Sequence, residues 1–259
     1  MSPAPAPSVS SELRGLLRRL KLGKTLDTLP ERLALAKQHQ LDHAAFLELV
    51  LADEADRRDR TGAARRAKAA GLDPTMTIQA WEDHDAVTYD TDILTELSTL
   101  RFVDDHQCGF ILGPVGVGKT HLAHAIGHIA CRRRYRTHAE RTDRLFKRLK
   151  AARLDNSHEH ELRRLIGVDL LILDDFALHT LDATATGDFY EIAVERHLRG
   201  ATLITSNREP AEWLAQLAEP QLAQSAVDRL QSAAYELVVE GDSYRRRQKP
   251  TITTNTRDN

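Results

Sequence analysis

The stretch Gly113-Pro-Val-Gly-Val-Gly-Lys119-Thr120 decides the fold of this chain. It follows the apolar run Gly109–Leu112 and precedes a helical pattern, so the local order is strand, glycine-rich loop, helix. In that setting the backbone N–H groups of the loop and the positive end of the helix point at phosphate oxygens. Lys119 adds a positive charge, and the Thr120 hydroxyl is a ligand for Mg²⁺. The pattern therefore predicts an ATP phosphate site made of Gly113, Pro114, Val115, Gly116, Val117, Gly118, Lys119 and Thr120.

Two carboxylates close a second apolar run, Leu170–Leu173. Because α/β sheets place ligands at the carboxyl ends of their strands, we expect Asp174 to hold Mg²⁺. Side chains alternate along a strand, so Asp175 is expected to project differently and to polarise the attacking water. Adjacent aspartates also commonly cap a helix or a turn, and it is their combination with the phosphate loop that favours catalysis.

A third apolar run ends before Asn207. If its strand neighbours the acidic strand, Asn207 is placed to orient the water or to contact the γ-phosphate. Asparagine is also a common turn residue, so the position by itself proves little.

The rest of the chain predicts an α/β fold, in which helices cover both faces of a parallel sheet. Helical patterns separate the short apolar runs at Gly109–Leu112, Tyr135–Ala139, Leu170–Leu173, Ala201–Thr205 and Ala234–Val239. The predicted helices are Thr120–Arg133, Thr142–Ala152, Glu159–Ile166, Ala183–Arg199 and Gln224–Leu230.

The N-terminal part has a different texture. Leucines recur at helical spacing from Leu13 to Leu20, and a second helical pattern runs from Leu29 to Ala52. We therefore expect a disordered tail over residues 1–10, a small all-helical domain over 11–72 that contacts DNA or a partner, and a linker over 73–92. The ATPase domain is expected over 93–248 and a flexible tail over 249–259.

Composition narrows the class of protein. The 259 residues carry a formal net charge of −2, so any site for a polyanion must be local. The two cysteines, the absence of a signal-peptide pattern and the short apolar runs predict a soluble protein of the reducing cytoplasm, with no membrane contact.

Basic residues cluster in three stretches, around Arg57–Lys68, Arg132–Arg136 and Arg141–Arg153. Such faces can track nucleic-acid phosphates with little sequence preference, although charge runs are also common on solvated helices. The candidate DNA contacts are Arg57, Arg58, Arg65, Arg66, Arg132, Arg133, Arg134, Arg144, Lys147 and Arg148.

Three histidines, His121, His124 and His128, share one face of the helix after the phosphate loop. We do not interpret them as a metal site, because that helix must pack on the sheet and no cysteine accompanies them.

The order of these motifs, the Asp–Asp pair and the closing Gly241-Asp-Ser-Tyr-Arg245 resemble the AAA+ P-loop ATPases of the DnaC/IstB group, in particular the IstB-type transposition helpers. The resemblance implies that Lys119 and Thr120 form Walker A and that Asp174 and Asp175 form Walker B. It further implies that Asn207 is sensor 1, that Arg229 is an arginine finger for a neighbour's ATP and that Arg245 is sensor 2. An arginine supplied in trans stabilises the charge of phosphoryl transfer, although helix arginines are usually solvated.

The sequence departs from the group at two positions. Asp175 stands where glutamate is usual in AAA+ proteins, which predicts slow turnover unless DNA or a partner stimulates it. Ala177 stands where the group often has glycine, which makes the backbone there less permissive.

The resemblance implies an ATPase with Mg²⁺ as cofactor that self-assembles on duplex DNA, with ATP at the interfaces of a homo-oligomer. It would deform the DNA and recruit or stimulate a transposase for insertion-sequence transposition. Two alternatives remain open: a DnaC-like replicative helicase loader, which shares the core motifs, and a nucleotide-gated DNA scaffold without useful turnover.

Overall fold

The computed structural model describes residues 9–81, 87–232 and 234–244. The chain forms two compact units, Met1–Gly62 and Ala63–Asn259. The division lies earlier than the boundary near residue 72 that the sequence predicts, because Ala67, Ala70 and Leu72 are buried in the core of the second unit.

The first unit is helical. It contains α1 (Ser11–Arg19), α2 (Leu29–His39) and the first part of α3 (His43–Ala69), with a short 3-10 helix, Gly23–Asp27, after α1. The Ser10 hydroxyl caps α1 by accepting the Leu13 N–H at 3.1 Å. Within α3, hydrogen bonds from Arg57 and then Arg58 lower the pKa of the buried Glu54 to about 2.

The second unit is built on a six-stranded sheet in the order β1-β6-β2-β5-β4-β3. The strands are β1 (Val87–Tyr89), β2 (Cys108–Leu112), β3 (Thr137–Arg141), β4 (Leu170–Phe176), β5 (Ala201–Ser206) and β6 (Ala234–Gly241). Strands β2 to β6 are parallel and correspond to the five predicted strands, which confirms the predicted α/β fold.

Strand β1 adds an antiparallel edge strand to the predicted parallel sheet, and it lies within residues 73–92, the segment predicted as a linker. It pairs antiparallel with β6, and the same segment of residues 73–92 also holds a 3-10 helix, Ile78–Ala80. Three residues are too few to show an alternating pattern, and their partner lies at the far end of the chain.

Helices cover both faces of the sheet. The second unit contains α4 (Thr91–Thr99), α5 (Arg101–Asp104), α6 (Lys119–Arg132), α7 (Thr142–Ala152), α8 (His158–Ile166), α9 (Ala183–Arg196), α10 (Pro210–Trp213) and α11 (Pro220–Gln231). In β4, Ile172 packs in the core beneath α6, whereas Leu171 packs in the core with α7, α8 and α9. Successive side chains of β4 thus pack alternately into the two apolar cores, one on each face of the sheet. None of the described helices combines the length and the apolar character that a membrane span requires.

Candidate nucleotide-binding site

The phosphate loop connects the carboxyl end of β2 to the first turn of α6. Gly113, Gly116 and Gly118 have φ angles of 143°, 93° and 101°, which favour glycine. At Gly113 a Cβ atom would lie 2.0 Å from the Val239 carbonyl oxygen. The loop therefore wraps closely, as the glycine pattern predicts, and its backbone approaches the neighbouring strand where a side chain would not fit.

Lys119 lies inside this loop. Its Nζ donates hydrogen bonds to the carbonyl oxygens of Gly113 at 2.7 Å and Pro114 at 2.8 Å, and the residue is buried. The loop's own backbone thus holds the ammonium at the position where the sequence predicts phosphate oxygens.

Three threonine hydroxyls hold Asp174, which is 4% exposed: two bind its carboxylate and one binds its backbone carbonyl. The hydroxyls of Thr120 and Thr205 both donate to Asp174 Oδ1, at 2.9 Å and 2.6 Å. The Thr142 hydroxyl donates to the Asp174 backbone carbonyl at 3.0 Å. The Thr120 hydroxyl and the Asp174 carboxylate therefore form an adjacent pair of hard oxygen donors, the donor set that suits Mg²⁺.

The two aspartates form a β-bulge in β4. Leu173 pairs with Ile204 and Phe176 with Ser206, so Asp174 and Asp175 together face Thr205. Asp175 has φ 54°, and its N–H donates to Thr205 Oγ1 at 2.9 Å. From strand alternation, the sequence predicts that the two side chains point in different directions. They do so because of the bulge, which leaves Asp175 half-exposed while Asp174 is buried.

The residue after the bulge strand, Ala177, also has a left-handed backbone, with φ 56°. This is the position at which the resemblance expects glycine, and an alanine there carries the strain that glycine avoids.

A cleft of about 490 Å³ opens beside the phosphate loop. It brings together Lys119, Thr120, Asp175 and Asn207, which the sequence predicts as site residues. Asn207 follows β5 directly, and β5 neighbours β4, as its predicted role requires.

The cleft also contains residues that were not predicted as site residues, among them Trp81, Arg141 and Tyr244. Arg141 ends β3, and its Nε lies 3.8 Å from Asp175 Oδ2 and 3.2 Å from Asp143 Oδ1. The Tyr244 N–H donates to the Gly116 carbonyl at 2.9 Å, which fixes the chain after β6 against the loop. The sequence analysis places Arg141 only in a basic run. Its position at the end of β3, where polar residues of a parallel sheet meet ligands, is the signal that could have identified it.

Arg229 lies away from this cleft. It is on α11, where it donates to the Ser225 carbonyl at 2.7 Å, and it borders a small cavity with Cys108 and Thr202. Those residues stand at the amino ends of β2 and β5, whereas Asp174 and Asn207 stand at the carboxyl ends. Arg229 therefore does not line the cleft of its own chain. Arg245 falls outside the described residues.

Several predicted DNA contacts are engaged within the chain. Arg57 and Arg58 bind Glu54, and Arg66 Nε donates to the Cys131 carbonyl at 2.9 Å. Arg148 binds Glu140 at 2.7 Å and also Glu161, so adjacent carboxylates neutralise this candidate contact. Arg133 donates to the Thr99 carbonyl. The candidates with exposed side chains are Arg58, Arg65, Arg132, Arg133, Arg134, Arg144 and Lys147.

Comparison with known proteins matches residues 15–251 to the family described as IstB-like ATP binding protein. A protein of Mycobacterium tuberculosis named as an ATP-binding protein in an insertion sequence is 35% identical over 243 residues, 93% of this chain and 97% of the relative. The insertion sequence IS21 ATP-binding protein of Pseudomonas aeruginosa is 31% identical over 238 residues, 92% of this chain and 90% of the relative. The crystal structure of the DnaC helicase loader superposes with a TM-score of 0.53 at 21% identity, covering 64% of this chain and 97% of that one. That similarity is one of fold, and it agrees with the α/β fold predicted for the core.

Proposed function

The chain belongs to the IstB-like ATP binding protein family, and we propose that it is an Mg²⁺-dependent ATPase that assembles on duplex DNA and recruits or stimulates a transposase. The names of its relatives support the link to ATP and to insertion sequences. The observation that carries the proposal is the bulge at Thr205, which presents a buried Asp174 beside Thr120 and a half-exposed Asp175 at the cleft.

In this proposal the loop N–H groups and Lys119 bind the β- and γ-phosphates, while Thr120 and Asp174 hold Mg²⁺. Mg²⁺ bound there neutralises charge on the phosphate oxygens. Asp175 orients and polarises the attacking water, with Asn207 at the same end of the sheet. Asp175 is shorter than a glutamate, and the guanidinium of Arg141 beside it competes with water for its carboxylate, so basal turnover is slow.

The proposal assigns Arg229 to the cleft of a neighbouring copy. Within its own chain it stands at the amino edge of the sheet, and the arginine that lines the described part of the cleft is Arg141. An arginine from a second copy supplies the positive charge that phosphoryl transfer needs, and it couples hydrolysis to assembly.

The exposed basic residues support contact with DNA phosphates. Arg144 and Lys147 project from α7, and Arg132 to Arg134 lie at the end of α6. Contacts of this kind bind the backbone without reading bases, and their affinity falls steeply as salt rises.

The test is the ATPase rate and the sedimentation of the purified chain, with and without duplex DNA. We expect ATP and DNA together to produce large assemblies that hydrolyse ATP. The Arg229→Ala variant should bind ATP but lose the stimulated hydrolysis, whereas Arg199→Ala, an exposed arginine of the same edge, should behave as wild type. A wild-type chain that stays monomeric, with an ATPase rate and sedimentation that DNA does not change, would overturn the proposal.

A second experiment separates the alternatives. In pull-downs with ATP, the proposal expects capture of the transposase, and capture of a replicative helicase instead would favour a loader. In a scaffold without turnover, Asp175→Ala would leave the ATPase rate and disassembly unchanged; we expect a stalled, persistent DNA complex.

A further inference from the structure

The three histidines of α6 bind the backbone of the segment that precedes β1. His128 Nε2 lies 2.8 Å from the Asp73 carbonyl oxygen, and His121 Nε2 lies 2.9 Å from the Thr77 carbonyl oxygen. Since carbonyl oxygens only accept, both rings donate from Nε2. His124 does the reverse: its Nδ1 accepts the Asp73 N–H at 2.9 Å. The shared helix face thus serves a chain segment rather than a metal ion.

This segment, residues 72–81, is called the α6 strap below. It runs along α6 toward the phosphate loop: Asp73 meets His124 and His128, and Thr77 meets His121 one turn nearer the loop. At its end Trp81 lies so close to the loop that a Cβ on Gly118 would be 2.5 Å from the indole ring.

Packing fixes both ends of the strap. At its start the Leu72 side chain lies against Gly127, where a Cβ would approach it to 2.8 Å. At its end the Trp81 Nε1 donates to the Tyr89 hydroxyl at 3.1 Å, and its ring meets His121 edge-on at 5.3 Å between centroids. Between these ends the strap has only a short 3-10 helix, so the α6 histidines satisfy backbone groups that no strand or α-helix pairs.

The strap forms one wall of the nucleotide cleft, through Met76, Ala80 and Trp81. These side chains are apolar or aromatic and lie beside the phosphate loop, where the flat face of a nucleobase can pack. We propose that His124 and His128 are positioning residues for the nucleotide base, because they hold the strap at the distance from the loop that lets this wall contact the base. The inference rests on the nucleotide binding of the proposed function and is independent of hydrolysis.

The chemistry of His124 agrees with this role. Burial lowers the pKa of its imidazole below the ordinary value, which keeps the ring neutral and its Nδ1 able to accept.

The experiment uses substitutions that keep or remove one ring atom at a time. Asparagine at 124 returns an acceptor to the position of Nδ1, and glutamine at 128 returns a donor to the position of Nε2, whereas leucine returns neither. His160→Leu, at an exposed position of α8, is the matched control. For each variant the Kd for Mg²⁺-ATP and for inorganic tripolyphosphate is measured by calorimetry, together with Tm, KM and kcat.

We expect His124→Leu and His128→Leu to raise the Kd and KM for ATP about tenfold, to leave the Kd for tripolyphosphate unchanged and to change kcat less than about twofold. His124→Asn and His128→Gln should restore the Kd for ATP to within about twofold of wild type. An unchanged Kd for ATP in the leucine variants, or an equal loss for tripolyphosphate, overturns the inference.

Two further outcomes are distinguishable. If the leucine variants do not fold, His124→Gln displaces the polar atom from the position of Nδ1 and gives the same comparison with His124→Asn. If the wild-type chain binds ATP without hydrolysing it, the ATPase proposal is wrong. The comparison of Kd values for ATP and tripolyphosphate still decides the role of the α6 strap.

Discussion

Replacing Thr205 by valine tests how the acidic bulge is held. The Thr205 hydroxyl is fully buried, donates to Asp174 Oδ1 at 2.6 Å and accepts the Asp175 N–H at 2.9 Å. Valine keeps the shape of the side chain but removes both hydrogen bonds. A hydrogen bond to a charged group contributes about 1.5–3 kcal/mol, and an N–H left without a partner costs about 1–3 kcal/mol. Because Thr120 still binds Asp174, we expect the free energy of unfolding to fall by about 2–4 kcal/mol in total.

The assay is urea denaturation without nucleotide, with Thr205→Ser as the control. Serine keeps the hydroxyl and loses one methyl group, so it should cost only about 1 kcal/mol. In parallel, the valine variant should lose at least about tenfold in ATPase rate at saturating ATP, since both carboxylates lose their fixed positions. Equal unfolding free energies for the valine and serine variants would refute the argument that this hydroxyl holds the bulge.

Three further predictions concern the loop and one ion pair. Gly113→Ala should destabilise the chain by at least about 2 kcal/mol in denaturation, because its Cβ would meet the Val239 carbonyl at 2.0 Å in a left-handed backbone. Lys119→Ala should abolish ATP binding in calorimetry while the secondary structure by circular dichroism stays unchanged. Burial alone would raise the pKa of Glu140, but hydrogen bonds from His138 and Arg148 lower it from 4.5 to about 2. That stabilisation is complete above the ordinary carboxyl pKa and is lost as the pH falls toward 2, so between about pH 5 and pH 3 the Tm of wild type should fall more steeply than that of Glu140→Gln.

The elements that the sequence predicts correctly are those with a local signal. The loop from Gly113 to Thr120 carries its conformation in its own glycines, and the run Leu170–Leu173 of β4 is continuously apolar because both faces of that strand are buried. Since parallel strands end at one edge, the sequence also brings Asp174 and Asn207 to the same side of the sheet.

What the sequence does not show depends on partners that are distant along the chain. The bulge exists because Thr205, on another strand, binds both aspartates of β4. Helical spacing correctly puts the three histidines on one face of α6, but it does not indicate that the face binds residues 72–81. In the sequence Arg148 belongs to a basic stretch, and only the fold places the carboxylate of Glu161 beside it and neutralises its charge.

The polarity of the parallel sheet has a consequence for the proposed assembly. The cleft opens at the carboxyl edge and Arg229 stands at the amino edge, so the six residues of β5 separate them by on the order of 20 Å. If Arg229 acts on a neighbour's ATP, the contact joins two different surfaces of the same chain. A contact of that kind repeats from copy to copy and produces a ring or a filament, whereas a two-fold dimer would join like surfaces. The proposed reaction mechanism and assembly on a long duplex thus require the same head-to-tail geometry.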